Sequence, residues 1–202
     1  RYEYFPNPGE LISVSLFHKR MEDPIVSIVR NTSGSGSFKS WQNSPSGFIQ
    51  GIELEYQKRF FDYFTFATNG TYIRSEIEGV TDDRGVSLGS GTVFEGQPEW
   101  IFNARLSFDH PDWGVQANLN YNYVSEVLTN VSADPRVANI FQRGVHSLDF
   151  IASKEFGDGW KLKMSIKNLL DSEREQFYEG EDLVYDGYST GRTFGIGLSY
   201  DY

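Results

Sequence analysis

Three histidines, an acidic pair at Glu53 and Glu55, and two carboxylate-rich stretches are the residues whose types and spacing could do chemistry. Hydrolysis would need a nucleophile or carboxylate pair, with a base held in place by hydrogen bonds. His110 falls in a turn, His18 near a strand end and His146 at the start of a strand, so each reads as an interfacial or surface residue. Glu53 and Glu55 lie two apart on a predicted strand and share its polar face, where lysines or water would meet them. Gly34-Ser-Gly36 and Gly89-Ser-Gly91 open no helix and so make no phosphate cradle. Metal-ligand spacing is absent, and the chain has no cysteine, which excludes disulfides and thiolate metal sites. These features point away from an enzyme and imply no cofactor.

The carboxylates suggest something else. Glu76, Glu78, Asp82, Asp83, Glu95 and Glu99 stand against Arg84 alone in one stretch. In the other, Asp171, Glu173, Glu175, Glu179, Glu181, Asp182 and Asp186 stand against Arg174 alone. Such stretches are solvated loop faces or, functionally, sites where divalent cations bridge to lipopolysaccharide or a ligand. The formal net charge of −10 argues against nucleic acid, which calls for a basic surface.

The elements that position these residues are amphipathic β-strands joined by two kinds of connection. Short turns are flanked by aromatics at Phe60/Tyr63, Phe108/Trp113 and Phe156/Trp160. Between them lie long loops rich in Gly, Ser, Asp and Glu, at 23–47, 76–98, 128–143 and 171–187. Twenty glycines and few methionines suit strands and turns. No apolar run is long enough for a transmembrane helix, but barrel strands alternate and escape that test. Short turns, long loops and aromatic girdles at both lipid interfaces are the signature of a bacterial outer-membrane barrel. The expected girdle is Phe60, Tyr63, Trp100, Phe108, Trp113, Tyr121, Phe156 and Trp160. A soluble sandwich would leave these apolar stripes as an exposed patch.

Period-two patterning places strands at 1–5, 10–22, 47–60, 63–76, 98–108, 113–128, 144–156, 160–170 and 190–202. Trp113, Val115, Ala117, Leu119, Tyr121 and Tyr123 alternate with Gly114, Gln116, Asn118, Asn120 and Asn122, one face for lipid and one for water. Trp113 and Tyr121–Tyr123 would lie roughly 20–25 Å apart along the membrane normal, about the height of an outer-membrane apolar band. The strand near 64–73 is blurred by Thr68 and Gly70. A turn at Gly157-Asp-Gly159 pairs Glu155 with Lys161, Ser153 with Lys163 and Asp149 with Lys167. Around Asp109–Asp112, Phe108 would face Trp113 and Trp100 would face Tyr121. The chain opens mid-strand, as a C-terminal fragment or processed piece would, and an odd strand suits part of a larger barrel. Eight complete strands could also close a small barrel with a structural or adhesive role.

Four segments carry a family resemblance. They are Gly51-Ile-Glu-Leu-Glu-Tyr56, Pro98-Glu-Trp-Ile-Phe-Asn103, Lys167-Asn-Leu-Leu-Asp171 and Gly191-Arg-Thr-Phe-Gly-Ile-Gly-Leu-Ser-Tyr200. In order and spacing the chain resembles the C-terminal barrel portion of a TonB-dependent outer-membrane receptor. The resemblance implies an all-β fold, an antiparallel transmembrane β-barrel segment of about nine of the family's 22 strands. Residues 1–202 would be that C-terminal portion, without plug domain and earlier strands. It implies uptake of an iron–siderophore, cobalamin, metal or oligosaccharide, with the rest of the barrel and plug, TonB, lipopolysaccharide, outer-membrane lipid and, as in glycan-importing relatives, a surface lipoprotein as partners. Leu198, Tyr200 and Tyr202 would be the assembly signal, although the family most often ends on Phe. Ligand contact in the family comes from long loops and plug, which makes Trp41, Phe94, Phe141, Phe177, Tyr178 and Tyr185 the candidates here. The C-terminus would be periplasmic and the long loops extracellular.

Overall fold

The computed structural model describes residues 1–31, 36–79, 81, 93–132, 136–181 and 183–201. Its strands are β1 (Tyr2–Tyr4), β2 (Leu11–Glu22), β3 (Ile25–Asn31), β4 (Ser37–Asn43), β5 (Ser46–Phe60), β6 (Phe64–Glu78), β7 (Trp100–His110) and β8 (Val115–Val124). They continue with β9 (Val127–Asn130), β10 (Ile140–Gln142), β11 (Val145–Glu155), β12 (Trp160–Lys167), β13 (Glu173–Tyr178), β14 (Val184–Ser189) and β15 (Thr193–Tyr200). Nine of these form one sheet in the order β1-β2-β5-β6-β7-β8-β11-β12-β15, every neighbour antiparallel. These are the nine strands that the period-two pattern locates. Because each wall strand pairs with the next one in the chain, short turns gather at one end and long loops at the other. β1 and β15 lie at opposite edges, so the described residues form an open barrel segment.

Register keeps the two faces apart across the whole sheet. Leu106 pairs with Phe66 and Leu119, Phe150 with Leu119 and Ile166, and Met164 with Ala152 and Ile196. On this face Leu54 is 55% exposed, Met164 50% and Leu106 39% although each has a strand on both sides, an arrangement that an apolar solvent stabilises. The other face is hydrogen-bonded. Asn122 donates to Asn103 (2.7 Å) and Asn103 to Asn69 (2.9 Å), while Ser107 donates to Asn118 (2.7 Å). These links across β6, β7 and β8 satisfy amides that a dry core would strand.

The residues that blur β6 have local reasons. Thr68 lies on the apolar face, and its hydroxyl donates to the Asn103 carbonyl at 2.8 Å, so no polar group is left bare. Gly70 sits beside the Phe102 ring. Gly51 is a close approach: a Cβ there would run into the Tyr72 carbonyl oxygen and the ring of Phe17, its partner on β2. Phe17 covers the bare glycine backbone, a cross-strand device that restores packing where a side chain cannot fit.

Two expectations at the turns need correcting. The β7–β8 connection is a 3-10 turn, Pro111–Trp113, closed by Gly114 in the left-handed region (φ 60°). It pairs His110 with Val115 and Ile101 with Val124, which moves Tyr121 opposite Ala104 instead of Trp100. Trp100 packs on Tyr72 (ring centroids 4.7 Å) and Tyr121 on Phe102 (6.0 Å). Phe108 and Trp113 do approach, at 6.5 Å. His110 is buried, not a surface residue. Its ring lies between Tyr63 and Trp113, 4.0 Å from each and nearly parallel to both, and its Nδ1 accepts the Trp113 N–H at 3.3 Å. At the β11–β12 turn, Glu155–Lys161 and Ser153–Lys163 pair as expected. Asp149 instead accepts the Asn168 backbone N–H at 2.9 Å.

The long loops hold regular structure that the sequence reading treats as loop. β3 and β4 form a hairpin above β2 and β5, and β14-β13-β10-β9 form a second small sheet above β8, β11, β12 and β15. The hairpin leans over the start of β7, where the Val29 N–H donates to the Val131 carbonyl at 2.7 Å. Beneath that contact lies a dry cluster of Val26, Ile28, Ile77, Leu128 and Val131, with Val93, Phe94 and Phe141 packed against it.

Candidate functional site in the long-loop layer

The wall delivers its strands to a layer in which aromatic side chains border cavities. Trp41 on β4 is 67% exposed and, with Phe94, lines a cavity of about 450 Å³ under the hairpin. Tyr178 and Tyr185, edge to face at 5.6 Å, line another of about 330 Å³. Phe141 borders the largest, of about 940 Å³, and lies 6.2 Å from Phe177. Of the six candidates, Trp41 and Tyr185 are exposed, whereas Phe94, Phe141, Phe177 and Tyr178 are half-buried. They do not converge on one pocket.

Charges tie the layer together. Glu95 receives hydrogen bonds from Ser27 and Lys39, the latter at 2.6 Å. Arg143 pairs with Glu175 at 2.9 Å and lies 4.7 Å over the Phe177 ring, a cation–π contact. Asp171 pairs with Arg192 at 3.7 Å, and Glu179 accepts from the Asn139 amide at 2.7 Å. Several carboxylates of the acidic stretches are thus fastened to loop cations and amides. Among the described residues no group of three or more His, Asp or Glu converges on a common point. Asp82, Asp83, Arg84, Asp182 and the Gly89–Gly91 motif lie outside the described residues, as do Gly34 and Tyr202.

The expected girdle residues take two levels. At the short-turn end Phe60 stacks on Phe64 (5.6 Å), Phe64 meets Phe108 (4.9 Å), Tyr63 and Trp113 enclose His110, and Trp160 packs on Tyr200 (4.9 Å). The Lys154 ammonium lies 5.9 Å from the Phe156 ring. At the long-loop end are Trp100 and Tyr121, whose hydroxyl meets His146 Nδ1 at 2.6 Å. Leu198 and Tyr200 lie on the apolar face of β15, opposite Leu162 and Trp160.

What sequence reasoning missed here is the hairpin and its core. The signal is one of composition, not of alternation: Ile25-Val-Ser-Ile-Val29 is rich in β-branched residues, and Ser37-Phe-Lys-Ser-Trp41 follows it after a Ser/Gly segment.

Similarity to known proteins agrees with this architecture. Residues 2–169 match the family described as TonB dependent receptor-like, beta-barrel. None of the curated proteins matches the chain. Among solved structures, the FrpB iron transporter from Neisseria meningitidis is similar at 15% identity and a TM-score of 0.63, over 98% of this chain and 29% of that one. The siderophore receptor PiuA from Acinetobacter baumannii gives 16% and 0.66, over 98% and 27%. The copper transporter OprC gives 14% and 0.68, over 99% and 30%. The chain spans less than a third of the length of each of these proteins. With the family match covering most of its residues, the chain belongs to the TonB-dependent receptor β-barrel family.

Proposed function

We propose that the chain forms part of the wall, the ligand-facing loops and the closing strand of an outer-membrane TonB-dependent transporter. The observation that carries this reading is the two-faced antiparallel sheet with segregated short turns and long loops, together with the family match over residues 2–169. On this reading the short turns and the C-terminus are periplasmic and the loop layer is extracellular. The two aromatic levels are the girdles, and Leu198, Tyr200 and Tyr202 close the barrel and serve its assembly. The polar face looks into the lumen, towards a plug through which TonB delivers energy. Lipopolysaccharide, surrounding lipid and a surface lipoprotein are the further partners that such a receptor admits.

The substrate is a scarce nutrient, namely an iron–siderophore, cobalamin, a metal or an oligosaccharide. FrpB, PiuA and OprC are described as iron, siderophore and copper proteins, which supports a metal-bearing ligand. Of the six candidate aromatics Trp41 and Tyr185 are the exposed ones that could meet it, and the cavities bordered by Phe94, Phe141 and Tyr178 are the next positions. Phe177 would act through Arg143. The test is uptake of labelled ferric siderophores, cobalamin, copper and oligosaccharide by cells carrying the full-length protein, with and without TonB. Saturable uptake of one of them that vanishes without TonB supports the reading. Passive, TonB-independent flux of all of them overturns it.

A further inference from the structure

We infer that a cleft in the barrel wall, above the first residues of β7, binds the sugar headgroup of an outer-leaflet glycolipid. This rests on the orientation proposed above. The cleft exists because neighbouring strands differ in length. Pairing of β6 with β7 stops at Tyr72–Trp100, while β6 runs on to Glu78 beside β5. β8 ends at Val124, opposite Ile101, and the chain leaves the sheet there through Ser125 and Glu126. Above Trp100 the space beside β6 therefore holds no strand among the described residues. The segment Phe94–Glu99 fills only part of it. Its contacts are Ile73 N–H to the Glu99 carbonyl (2.8 Å), Gly96 N–H to the Leu128 carbonyl (2.8 Å) and Phe94 N–H to Ser75 Oγ (3.4 Å). What remains is the cavity of about 940 Å³, large enough for one or two sugar rings.

Its lining decides the ligand class. Trp100, 51% exposed, lies with Tyr72 and Tyr123 along the cleft and offers flat faces to the C–H side of a pyranose. Around them stand the carboxylates Glu76, Glu99 and Glu126 and the guanidinium groups of Arg143 and of Arg74, which pairs with Glu76 at 3.7 Å. Carboxylates accept pairs of hydroxyl protons and a guanidinium donates to hydroxyl oxygens, the combination that vicinal diols use. An acyl chain would leave the Glu99 and Glu126 carboxylates facing hydrocarbon. A bare phosphate would meet the carboxylates as like charges. Neither fits as well as a neutral sugar ring.

Position decides the source. Tyr72 and Trp100 pair across the sheet on its apolar face, Tyr123 shares that face, and Arg74 follows Tyr72 by the strand period. These four residues border the cleft from the apolar side at the loop end of the strands, where an outer-leaflet glycolipid would present its sugars.

The experiment uses the full-length protein purified in detergent and stripped of endogenous lipid. Rough lipopolysaccharide and its free core oligosaccharide are titrated separately, with native mass spectrometry and Trp fluorescence as readouts. Wild type should bind the lipopolysaccharide, and Glu126→Gln and Trp100→Phe should each weaken binding at least tenfold. Glu126→Gln is near-isosteric, Trp100→Phe keeps a smaller aromatic ring, and each variant is checked for the heat-resistant mobility of the folded barrel. Trp160→Phe, on the same face at the opposite end, should leave binding unchanged. Equal binding by wild type, Glu126→Gln and Trp100→Phe overturns the site. Binding of free oligosaccharide as tight as that of lipopolysaccharide overturns the glycolipid source.

Discussion

The wall and the loop layer of this chain obey opposite rules. Between the two aromatic levels the wall exposes its Leu, Ile and Phe, and hydrogen-bonds its Asn and Ser on the other face. Above it, the layer of β3, β4, β9 and the segment before β7 buries Ile28 and Leu128 almost completely, like any water-soluble domain. Every buried hydrophobic among the described residues lies at or beyond the loop end of the strands. The same apolar side chains serve both regions, and the solvent on each side decides which way they face. Lipid tails are as apolar as Leu, so the wall gains little from burying side chains and relies on its backbone ladder. The loop layer depends on the hydrophobic effect in water.

This comparison can be broken in five places. The largest effect is expected at Gly51, where the wall depends on the ladder alone. Gly51→Val forces a side chain into the Tyr72 carbonyl and the Phe17 ring, and should cost about 3 kcal/mol or more. The fraction of full-length protein reaching the heat-resistant, folded form should fall sharply. The next is Ile28→Ala in the loop core, which should cost about 2–5 kcal/mol of local stability. Proteolysis within the loops should quicken while the barrel stays folded. Leu16→Ala on the lipid face is the matched control and should change neither readout, whereas Leu16→Arg should cost about 2–4 kcal/mol of barrel stability.

A smaller effect is expected on the polar face. Asn103→Leu removes one donor and one acceptor from the Asn69–Asn103–Asn122 chain, about 1 kcal/mol, as water replaces part of what is lost. Urea unfolding in detergent should show that loss, and Asn103→Ser should recover part of it. Least of all, Glu155→Gln breaks the exposed pair with Lys161 and should cost about 0.2–1 kcal/mol, vanishing at high salt.

The wall was legible in the sequence because its constraint is local. Alternation in Val115–Val124 separates an apolar face from a polar one, and the aromatics at Phe60, Phe108 and Trp160 mark the short-turn ends of their strands. The loop layer was less legible because its order is tertiary. β10 is only Ile140–Gln142, too short for a period, and it is a strand because β9 and β13 flank it. The Trp100–Tyr121 expectation failed for a similar reason. Asp109-His-Pro-Asp112 reads as a tight turn, but the left-handed Gly114 extends it into a 3-10 turn and shifts the pairing by an even number of residues. Faces survive an even shift, and individual neighbours do not. His110 looked like a turn residue until Tyr63, far away in sequence, closed over it. The candidate ligand aromatics were legible as loop residues, but not which cavity each borders, since the β3–β4 hairpin and β9 set that jointly.

The central claim is that one face of the wall meets lipid and the other water. It is tested most directly by single-cysteine scanning of β8, Val115 to Val124, in the full-length protein reconstituted in bilayers. The chain has no cysteine of its own to interfere. Spin labels at the odd positions should be accessible to oxygen dissolved in the lipid. Labels at Gln116, Asn118, Asn120 and Asn122 should be accessible instead to a water-soluble nickel chelate, giving two profiles of period two in antiphase. Profiles in phase, or without a period of two, would contradict it.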